Sequence, residues 1–440
     1  MQDETLQDLL RYAARQGVQL TGITPRRLPG RGYGMVATCD VLEGETVLAV
    51  PTRALRTLAT VPKAISRTLD RDVSVHGILA AHLVLDDTGD YAAWDAVLPT
   101  PDDLEAGMPL LWPTKLRELL PTPARNALQR QQTKLNADWE AVKAAFGEGK
   151  GKETNGDGND TGEKLTKSKY VRAWLLVNSR TFYYTTPRSE ATLPSHDDRI
   201  AMQPVADLFN HAADRGCKAA YAAQGFSFVA DRLYKEGDEV PISYGAHAND
   251  ALLVEYGFVL ADNNRWDEVS LDAVLVPKLS SSPQDIIRED LETAGFWGNY
   301  MIDAATPGGC YRTQVALRRL LCGGTGAAKR TVWLQFVEGG GDDEDEEEGK
   351  EEREELLLEC LDDMAELAHK TLTKIERLGK SNVGTESQRN LLALRWRQIE
   401  AMVAQAAKKL REGEDEEEGD DRKEAKEEKK EKPKKKEARK

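Results

Sequence analysis

Apolar residues recur along the chain with two different spacings, one typical of helices and one typical of strands. Residues 3–17 have apolar side chains on one side of a predicted short amphipathic helix. These side chains are Leu6, Leu9, Leu10 and Tyr12. Residues 34–51 contain two β-rich runs around D-V-L-E-G-E and end at Pro51, which predicts two strands joined by a hairpin-like turn.

A long helical stretch follows these strands. From about residue 63 to residue 175, apolar residues stand at helical spacings, so we predict a helical insertion inside a strand-rich domain. Residues 148–165 interrupt the insertion with a low-complexity run rich in Gly, Lys, Asn and Asp, which predicts a flexible loop. Helical character returns over residues 166–184.

Short strands return after the insertion. Over residues 201–244 we predict strands at V-A-D-L-F, on both sides of a turn at Gly225, and at E-V-P-I-S-Y. The next segment, N-D-A-L-L-V-E-Y-G-F at 249–258, predicts one or two helical turns that end at Gly257.

The C-terminal part of the chain is helical by its pattern. We predict one strand-rich domain over 1–268, an all-helical domain over 270–411 with an acidic insert at 339–355, and a disordered charged tail over 412–440. The fold class is therefore α+β, in which short strands and small sheets carry a helical insertion and an all-helical domain follows.

Charge changes the picture of the expected partners. The 440 residues carry a formal net charge of −15, but much of the acid is concentrated in residues 342–355 and 412–421. Such segments argue against a nucleic-acid-binding face and suit a basic protein partner. The final K-K-E-K-P-K-K-K-E-A-R-K fits either a nuclear localisation signal or a solvated charged tail.

The cysteines and the apolar runs bear on the compartment. The five cysteines are widely spaced, with no C-x-x-C and no His/Cys cluster at zinc spacing, so a structural zinc is not expected. A sparse, odd count fits a reducing compartment. No signal-peptide pattern occurs, and no run approaches the roughly 18 apolar residues of a membrane helix. We therefore expect a soluble protein of the nucleus, the cytoplasm or both, without membrane contact.

Two glycine- and arginine-containing motifs could contact a ligand. G-R-G-Y-G at 30–34 contains G-x-G, but it lacks the third glycine of a dinucleotide fingerprint and β-type residues follow it. The motif also fits a simple turn, or a Gly-lined backbone edge that is open to a small ligand. Arg180, in N-S-R-T-F-Y-Y, either caps a helix or lies beside a ligand carboxylate.

Two further motifs contain an Asn-His pair and tyrosines. Asn210 and His211 in D-L-F-N-H either cap the next segment or bind a ligand, with the Asn side-chain oxygen accepting from an ammonium. Asp207 of the same motif is better explained as structural. Y-G at 244–245 and E-Y-G-F at 255–258 supply tyrosines, which when buried usually belong to a core with a satisfied hydroxyl.

The order and spacing of these motifs resemble the SET-domain methyltransferases. The series G-x-G, S-R-T-F, D-L-F-N-H and Y-G-A-H-A-N-D-A-L-L-V-E-Y-G-F is similar to the class that includes the Rubisco large-subunit lysine methyltransferase. The resemblance covers about residues 25–268, and over 270–410 it rests on position and helical character only. It implies that the N-H and Y-G segments thread past each other in the fold.

The resemblance also implies a site for S-adenosylmethionine. The residues that it implies at the cofactor are Gly32, Tyr33, Gly34, Ser179, Arg180, Asn210, His211, Tyr244 and Phe258. Tyr244 is implied at the methyl-transfer centre, and Arg180 is implied opposite the cofactor carboxylate. Tyr256 and, more loosely, Tyr221 are implied in a channel for the substrate side chain.

The implied activity is N-methylation of lysine in a non-histone protein, with a ribosomal or translation protein as one expected substrate, by a monomer without a metal ion. Methyl transfer needs the reacting atoms aligned at about 3–3.5 Å. A narrow aromatic channel would lower the pKa of the amine by desolvation. Two alternatives remain open: a protein-histidine methyltransferase of the same class, and a non-catalytic SET scaffold that binds basic partners.

Overall fold

The computed structural model describes residues 3–69, 73–147, 165–193, 195–261, 264–280, 286–322, 327–338 and 349–428. The predicted loop at 148–165 lies outside the described residues except for Leu165, and so do most of the acidic insert and the end of the tail. The chain divides into two compact units. The first unit is Met1–Glu118 with Pro123–Trp266, and the second is Leu119–Thr122 with Asp267–Lys440.

The strands of the first unit are short, as predicted. They are β1 (Gln19–Leu20), β2 (Ile23–Leu28), β3 (Gly32–Ala37), β4 (Thr46–Pro51), β5 (Thr181–Tyr183), β6 (Ile200–Met202), β7 (Lys218–Ala222) and β8 (Gly225–Val229). An antiparallel sheet has the order β1-β4-β8-β7, while β2 pairs with β3 and β5 pairs with β6. The β7–β8 hairpin, with Tyr221 opposite Phe226, confirms the predicted turn at Gly225.

The predicted hairpin between residues 34 and 51 is wrong. Strand β3 pairs with β2, and β4 pairs with β1 and β8, so the two β-rich runs do not pair with each other. The connecting residues pair elsewhere: the Val41 amide donates to the Tyr234 carbonyl oxygen at 2.9 Å, and the Gly44 amide donates to that of Ala230 at 2.9 Å. The connection does contain a local turn, in which the Glu45 amide donates to the Leu42 carbonyl oxygen at 3.2 Å. Because a distant segment satisfies the other backbone groups, this turn does not join the two runs into a hairpin.

α-Helices precede, separate and follow these strands along the chain. They are α1 (Glu4–Arg15), α2 (Lys63–Ser66), α3 (Val75–Leu85), α4 (Ala92–Asp95), α5 (Pro101–Gly107), α6 (Thr114–Arg117), α7 (Thr122–Phe146), α8 (Lys167–Arg180), α9 (Pro187–Thr192) and α10 (Asn249–Tyr256). Helix α1 buries Leu6, Leu9 and Tyr12 of the predicted apolar side, whereas Leu10 is only partly buried. Helix α10 ends at Gly257, whose left-handed φ of 81° allows the C-cap.

Buried polar contacts join the helices of the insertion. Asp138 on α7 accepts hydrogen bonds from the Ser74 hydroxyl at 2.8 and 2.9 Å and from Trp174 Nε1 at 3.0 Å. Ser74 is the N-cap of α3, and Trp174 lies on α8. Burial raises the pKa of Asp138, and the hydrogen bonds from Trp174 and Ser74 oppose that change. One carboxyl group therefore fixes three helices relative to each other.

The second unit is mainly helical. Its helices are α11 (Asp272–Ser280), α12 (Ile286–Thr293), α13 (Tyr311–Leu321), α14 (Ala327–Val337), α15 (Lys350–Lys380) and α16 (Glu386–Glu428). Helices α15 and α16 pack along each other. The apolar face of α15 repeats at helical spacings through Leu357, Leu361, Met364, Ala368 and Ile375.

Two details of the predicted C-terminal part differ from the structure. The unit is not all-helical, because β9 (Glu268–Ser270) and β10 (Met301–Asp303) pair antiparallel. The last helix does not end at residue 411 but continues to Glu428. Its final turns are rich in Glu, Lys and Arg, which favour a helix even though they cannot form a core. In the described residues, no helix is long and apolar enough to cross a membrane.

Replacing Asp138 by alanine should destabilise the first unit. The change removes the acceptor of buried donors on α3 and α8, which costs roughly 1–3 kcal/mol for an orphaned group. Thermal unfolding should therefore shift to lower temperature. Glu140→Ala, an exposed change on the same helix, is the matched control and should leave the melting temperature nearly unchanged. Equal melting temperatures for the two variants would contradict the role of Asp138.

Candidate active site

Two distant turns of the first unit meet through backbone hydrogen bonds. The Ile242 amide donates to the Asn210 carbonyl oxygen at 2.9 Å, and the Ala212 amide donates to the Ile242 carbonyl oxygen at 3.0 Å. On its other side, the Pro241 carbonyl oxygen accepts from the Cys217 amide at 2.8 Å. Ile242 forms parallel bridges with both His211 and Cys217. The segment that leads to Tyr244 thus runs between the two arms of the loop that begins with Asn210 and His211.

This pairing places Tyr244 against His211. The Tyr244 amide donates to Nδ1 of His211 at 3.0 Å, and the two rings are stacked with centroids 5.1 Å apart. The Tyr244 hydroxyl donates to the carbonyl oxygen of Phe209 at 2.6 Å. Burial raises the pKa of Tyr244, so its hydroxyl stays protonated at neutral pH. The predicted meeting of the Asn-His and Tyr-Gly turns is confirmed by these contacts.

Two further predicted residues complete an aromatic cluster around Tyr244. The ring of Tyr256 lies 5.0 Å from that of Tyr244, and Phe258 lies 6.2–6.4 Å from His211, Tyr256 and Tyr244. His247 also belongs to the cluster, 6.0 Å from Tyr256, with its Nε2 3.2 Å from the Tyr244 carbonyl oxygen. These half-buried rings lie around the ring of Tyr244.

His211 is neutral in this environment. It is 8% exposed, and its Nδ1 accepts from a backbone amide, so the proton of the neutral ring is on Nε2. Burial, together with the nearby His247, lowers the pKa of His211 to about 4. Within the described part of the chain, Nε2 is buried and has no hydrogen-bond partner. A buried N–H without an acceptor is uncommon and indicates a position where a ligand could supply one.

The glycines of G-R-G-Y-G have different roles. A Cβ on Gly34 would lie 2.6 Å from Nδ2 of Asn210 and 2.5 Å from a methyl group of Leu28, so a side chain there would displace both groups. Gly32 has open space around it, but its φ of 69° favours glycine. Gly34 thus allows the β3 backbone to approach the Asn-His turn, while Gly32 shapes the preceding turn.

Tyr33 is not part of the cluster. Its hydroxyl donates to the carboxylate of Asp3 at 3.0 Å, and Arg27 lies over its ring at 5.0 Å. Asp3 is also the N-cap of α1. The side chain of Tyr33 therefore contacts the N-terminal helix, because residues alternate along β3 and Tyr33 points away from the face that Gly34 shares with Asn210.

Arg180 lies beside the Asn-His motif, and Ser179 does not. Arg180 Nη1 donates to the carbonyl oxygen of Asp207, and its buried Nε has no partner among the described residues. The Ser179 hydroxyl donates to the Leu175 carbonyl oxygen of its own helix at 2.8 Å. The structure thus brings the guanidinium to the site but shows the Ser179 side chain only in a helix contact.

Asp207 is a buried carboxyl group with one satisfied oxygen. Its Oδ2 accepts from Trp94 Nε1 at 2.8 Å, while Oδ1 is buried and unpartnered among the described residues. Burial raises the pKa of Asp207 to about 6, and the positive charge of Arg180 opposes that change. The hydrogen bond across 113 residues supports its predicted structural role.

The V-A-D-L-F segment that leads to this motif is not a strand. Val205 has a φ of 71°, which strands do not allow, and Ala206–Leu208 form a 3₁₀ turn. Strand β6 ends earlier, at Met202. Strain of this kind at a buried β-branched residue persists only where the surroundings impose it, which is common near functional sites.

Tyr221 lies in a separate aromatic group. Its ring is 5.0 Å from that of Tyr184 and 4.9 Å from that of Phe226. Burial raises the pKa of Tyr184 to about 12, and the neighbouring Tyr221 adds to the increase. This group connects to the Asn-His turn through Phe182 and Phe228, which stacks on Phe209 at 5.3 Å. Tyr221 therefore has no described ring contact with Tyr244.

Several residues that hold the site were missed from the sequence. Asn178 donates to the Glu255 carbonyl oxygen at 3.0 Å and to its carboxylate at 2.9 Å, and Gln131 donates to the same carboxylate at 3.2 Å. These contacts fix the end of α10, which carries Tyr256. Asn178 stands two residues before Arg180 in the N-S-R-T-F-Y-Y motif, so its position in that motif could have identified it. Gln131 is 124 residues from its partner, and nothing in the local sequence marks it.

Comparison with known proteins agrees with this geometry. Residues 32–245 match the family model of the SET domain. SET domain-containing protein 4 of Mus musculus is 26% identical over 413 residues, which are 91% of this chain and 90% of that protein. Ribosomal lysine N-methyltransferase 2 of Saccharomyces cerevisiae is 27% identical over 259 residues, which are 52% of this chain and 52% of that protein.

A solved structure extends the likeness over almost the whole chain. The SET domain of LSMT bound to lysine and AdoHcy superimposes with a TM-score of 0.61 at 17% identity, over 94% of this chain and 92% of that one. Rubisco LSMT bound to AdoMet gives a TM-score of 0.60 at 19% identity, over 93% of this chain and 92% of that one. The fold is therefore that of the SET-domain proteins, and within them it has the architecture of Rubisco LSMT.

The ring protons of His211 should titrate with a midpoint near pH 4 in the folded protein. NMR of the imidazole resonances, assigned with a His211→Gln variant, measures this directly. In denaturant the titration midpoint of the same resonance should rise to about pH 6.5. Residue-resolved NMR is needed because two opposing effects would combine in a stability measurement. As the pH rises through this range, the lowered pKa of His211 makes the folded state more stable, whereas the raised pKa of Asp207 makes it less stable. A folded-state midpoint near 6.5 would show that His211 is not held as described.

Proposed function

We propose that this protein is an S-adenosylmethionine-dependent protein-lysine N-methyltransferase. The observation that carries the proposal is Tyr244, whose protonated hydroxyl is held on the Phe209 carbonyl while its ring stacks on His211 inside a SET domain. Relatives over about half of the chain or more include enzymes named as ribosomal lysine N-methyltransferases and N-lysine methyltransferases. Their names support lysine as the acceptor.

Unpaired polar atoms around the site fit the parts of S-adenosylmethionine. The buried Nε of Arg180 is available to a carboxylate, and the side-chain oxygen of Asn210 is available to an ammonium. Gly34 lets the β3 backbone lie close to the Asn210 side chain. The cofactor supplies an electrophilic methyl group on its sulfonium. Gly32 begins β3, the strand that carries Gly34. We propose Gly32, Gly34, Arg180, Asn210, His211, Tyr244 and Phe258 as cofactor-binding residues.

The aromatic cluster supports a channel for the acceptor amine. Tyr244, Tyr256 and Phe258 present three rings and two hydroxyls, which burial keeps protonated, and none of the three side chains is a carboxylate that would hold a proton on the amine. A desolvated amine has a lowered pKa and reacts in its neutral form. Tyr244 orients the reacting groups through its hydroxyl, and carbonyl oxygens nearby add weak CH···O contacts. We assign no general base, because the described geometry does not point to one.

The substrate that we propose is a basic, non-histone protein, with a ribosomal or translation protein as the first candidate. Two relatives are named as ribosomal lysine methyltransferases, although one of them aligns over only 47% of this chain and 46% of its own length. The acidic residues at 342–355 suit a basic partner. We propose a monomer that acts in the nucleus, the cytoplasm or both, without nucleic acid or membrane as a partner.

Tyr244→Phe should lower kcat by roughly tenfold or more. The change removes the hydroxyl that donates to the Phe209 carbonyl oxygen and that we propose orients the reacting groups. Methyl transfer from radiolabelled S-adenosylmethionine to a basic protein fraction measures the loss. Binding of S-adenosylhomocysteine should remain, which shows that the variant is folded. Tyr183→Phe, an exposed tyrosine stacked on His196, is the control and should keep full activity. Unchanged turnover of Tyr244→Phe would remove Tyr244 from the mechanism.

Labelling an extract from cells that lack the native protein should reveal one or a few methylated proteins. We expect the label on lysine, identified by mass spectrometry of the labelled band. The Asn210→Ala variant should label nothing, since it loses a cofactor contact. Label on histidine would establish the alternative acceptor. No label, together with no binding of S-adenosylhomocysteine in calorimetry, would instead favour a non-catalytic SET scaffold.

A further inference from the structure

Glu239 connects the glycine loop to the Asn-His turn. Its Oε1 accepts a hydrogen bond from Nδ2 of Asn210 at 2.8 Å, and its Oε2 lies 2.7 Å from Nη2 of Arg31. The Glu239 side chain is 24% exposed, whereas that of Arg31 is 58% exposed. A Cβ on Gly34 would lie 3.2 Å from the same Oε1. The carboxylate therefore stands between β3 and the turn, next to Asn210.

This contact decides which end of the Asn210 amide faces the site. An asparagine amide has two donors on nitrogen and only acceptor capacity on oxygen. With Nδ2 donating to Glu239, the oxygen Oδ1 points the other way, and the described part of the chain offers it no donor. The flipped amide would place its oxygen against a carboxylate oxygen, which is repulsive. Glu239 thus selects the rotamer that presents an acceptor.

We infer that Glu239 is a positioning residue that holds the oxygen of Asn210 toward the α-ammonium group of the cofactor. The inference rests on the proposed function. It adds a residue that does not itself contact the cofactor but orients Asn210, which does. Arg31 neutralises the outer oxygen of Glu239, so the carboxylate can accept from an amide without leaving an unpaired half-buried charge. The exposed ion pair itself adds little stability.

Two ligands that differ in the amino-acid part test the inference. S-adenosylhomocysteine has the ammonium, and 5′-methylthioadenosine has the same nucleoside without it. In titration calorimetry, Glu239→Ala should lower the affinity for S-adenosylhomocysteine by about tenfold, which is the usual effect of losing one hydrogen bond to a charged group. Binding of 5′-methylthioadenosine should stay within about twofold of wild type, which also shows that the variant is folded.

Two further variants separate positioning from charge. Glu239→Gln keeps an acceptor for Nδ2 of Asn210 and should bind S-adenosylhomocysteine within about threefold of wild type. Glu236→Ala removes an exposed carboxylate of the same turn that does not contact Asn210, and it should bind both ligands normally. If Glu239→Gln loses as much affinity as Glu239→Ala, or if Glu239→Ala weakens both ligands equally, the inference is overturned.

Failure of the proposed function gives a different result. In that case the wild-type protein binds neither S-adenosylhomocysteine nor S-adenosylmethionine, so the variants cannot differ. If wild type binds S-adenosylhomocysteine and Glu239→Ala binds it equally well, the cofactor assignment stands and Glu239 has no positioning role. The Arg31→Ala variant should retain most of the affinity, because the amide contact of Glu239 remains.

Discussion

The backbone pairing of residues 241–242 with the 210–217 loop is the contact on which the site depends. Neither partner is a regular strand, yet three hydrogen bonds of 2.8–3.0 Å fix the register to a single residue. A shift by one position would turn the side chain of Tyr244 away from His211, because side chains of extended chains alternate. The amide of Tyr244 then adds a bond to Nδ1 of His211, so backbone and side chain enforce the same register.

The helical insertion supports this pairing from a distance. Trp94 of the insertion donates to Asp207, next to the Asn-His turn, and Trp94 itself lies under the buried Arg56, which pairs with Asp95 at 2.6 Å. On another side, Asn178 and Gln131 hold Glu255 at the end of α10. Buried polar groups of this kind are costly unless every partner is in place. The insertion therefore fixes the positions of the site residues and does not only enlarge the domain.

The electrostatics of the site follow from burial. Desolvation keeps His211 and the Tyr244 hydroxyl uncharged at neutral pH and raises the pKa of Asp207, while Arg180 retains a positive charge beside them. Each of His211, Arg180 and Asp207 has a buried polar atom that lacks a hydrogen-bond partner among the described residues. Such a combination of neutral rings and free donors suits a zwitterionic ligand and an uncharged nucleophile. It is consistent with methyl transfer to an amine.

The sequence by itself determined the elements with strong local signals. Helix α1, the β7–β8 hairpin and α10 with its glycine cap follow from apolar spacing and turn residues, and the motifs that contain Asn210, His211, Tyr244 and Tyr256 were identified by order and spacing. Only the tertiary structure decided the strand pairing of residues 34–51, the direction of Tyr33, the separation of Tyr221 from Tyr244, and the contacts of Gln131 and Glu239. The physical reason is that local propensity acts over a few residues, whereas backbone and buried polar groups take whichever partner the folded chain brings within hydrogen-bonding distance.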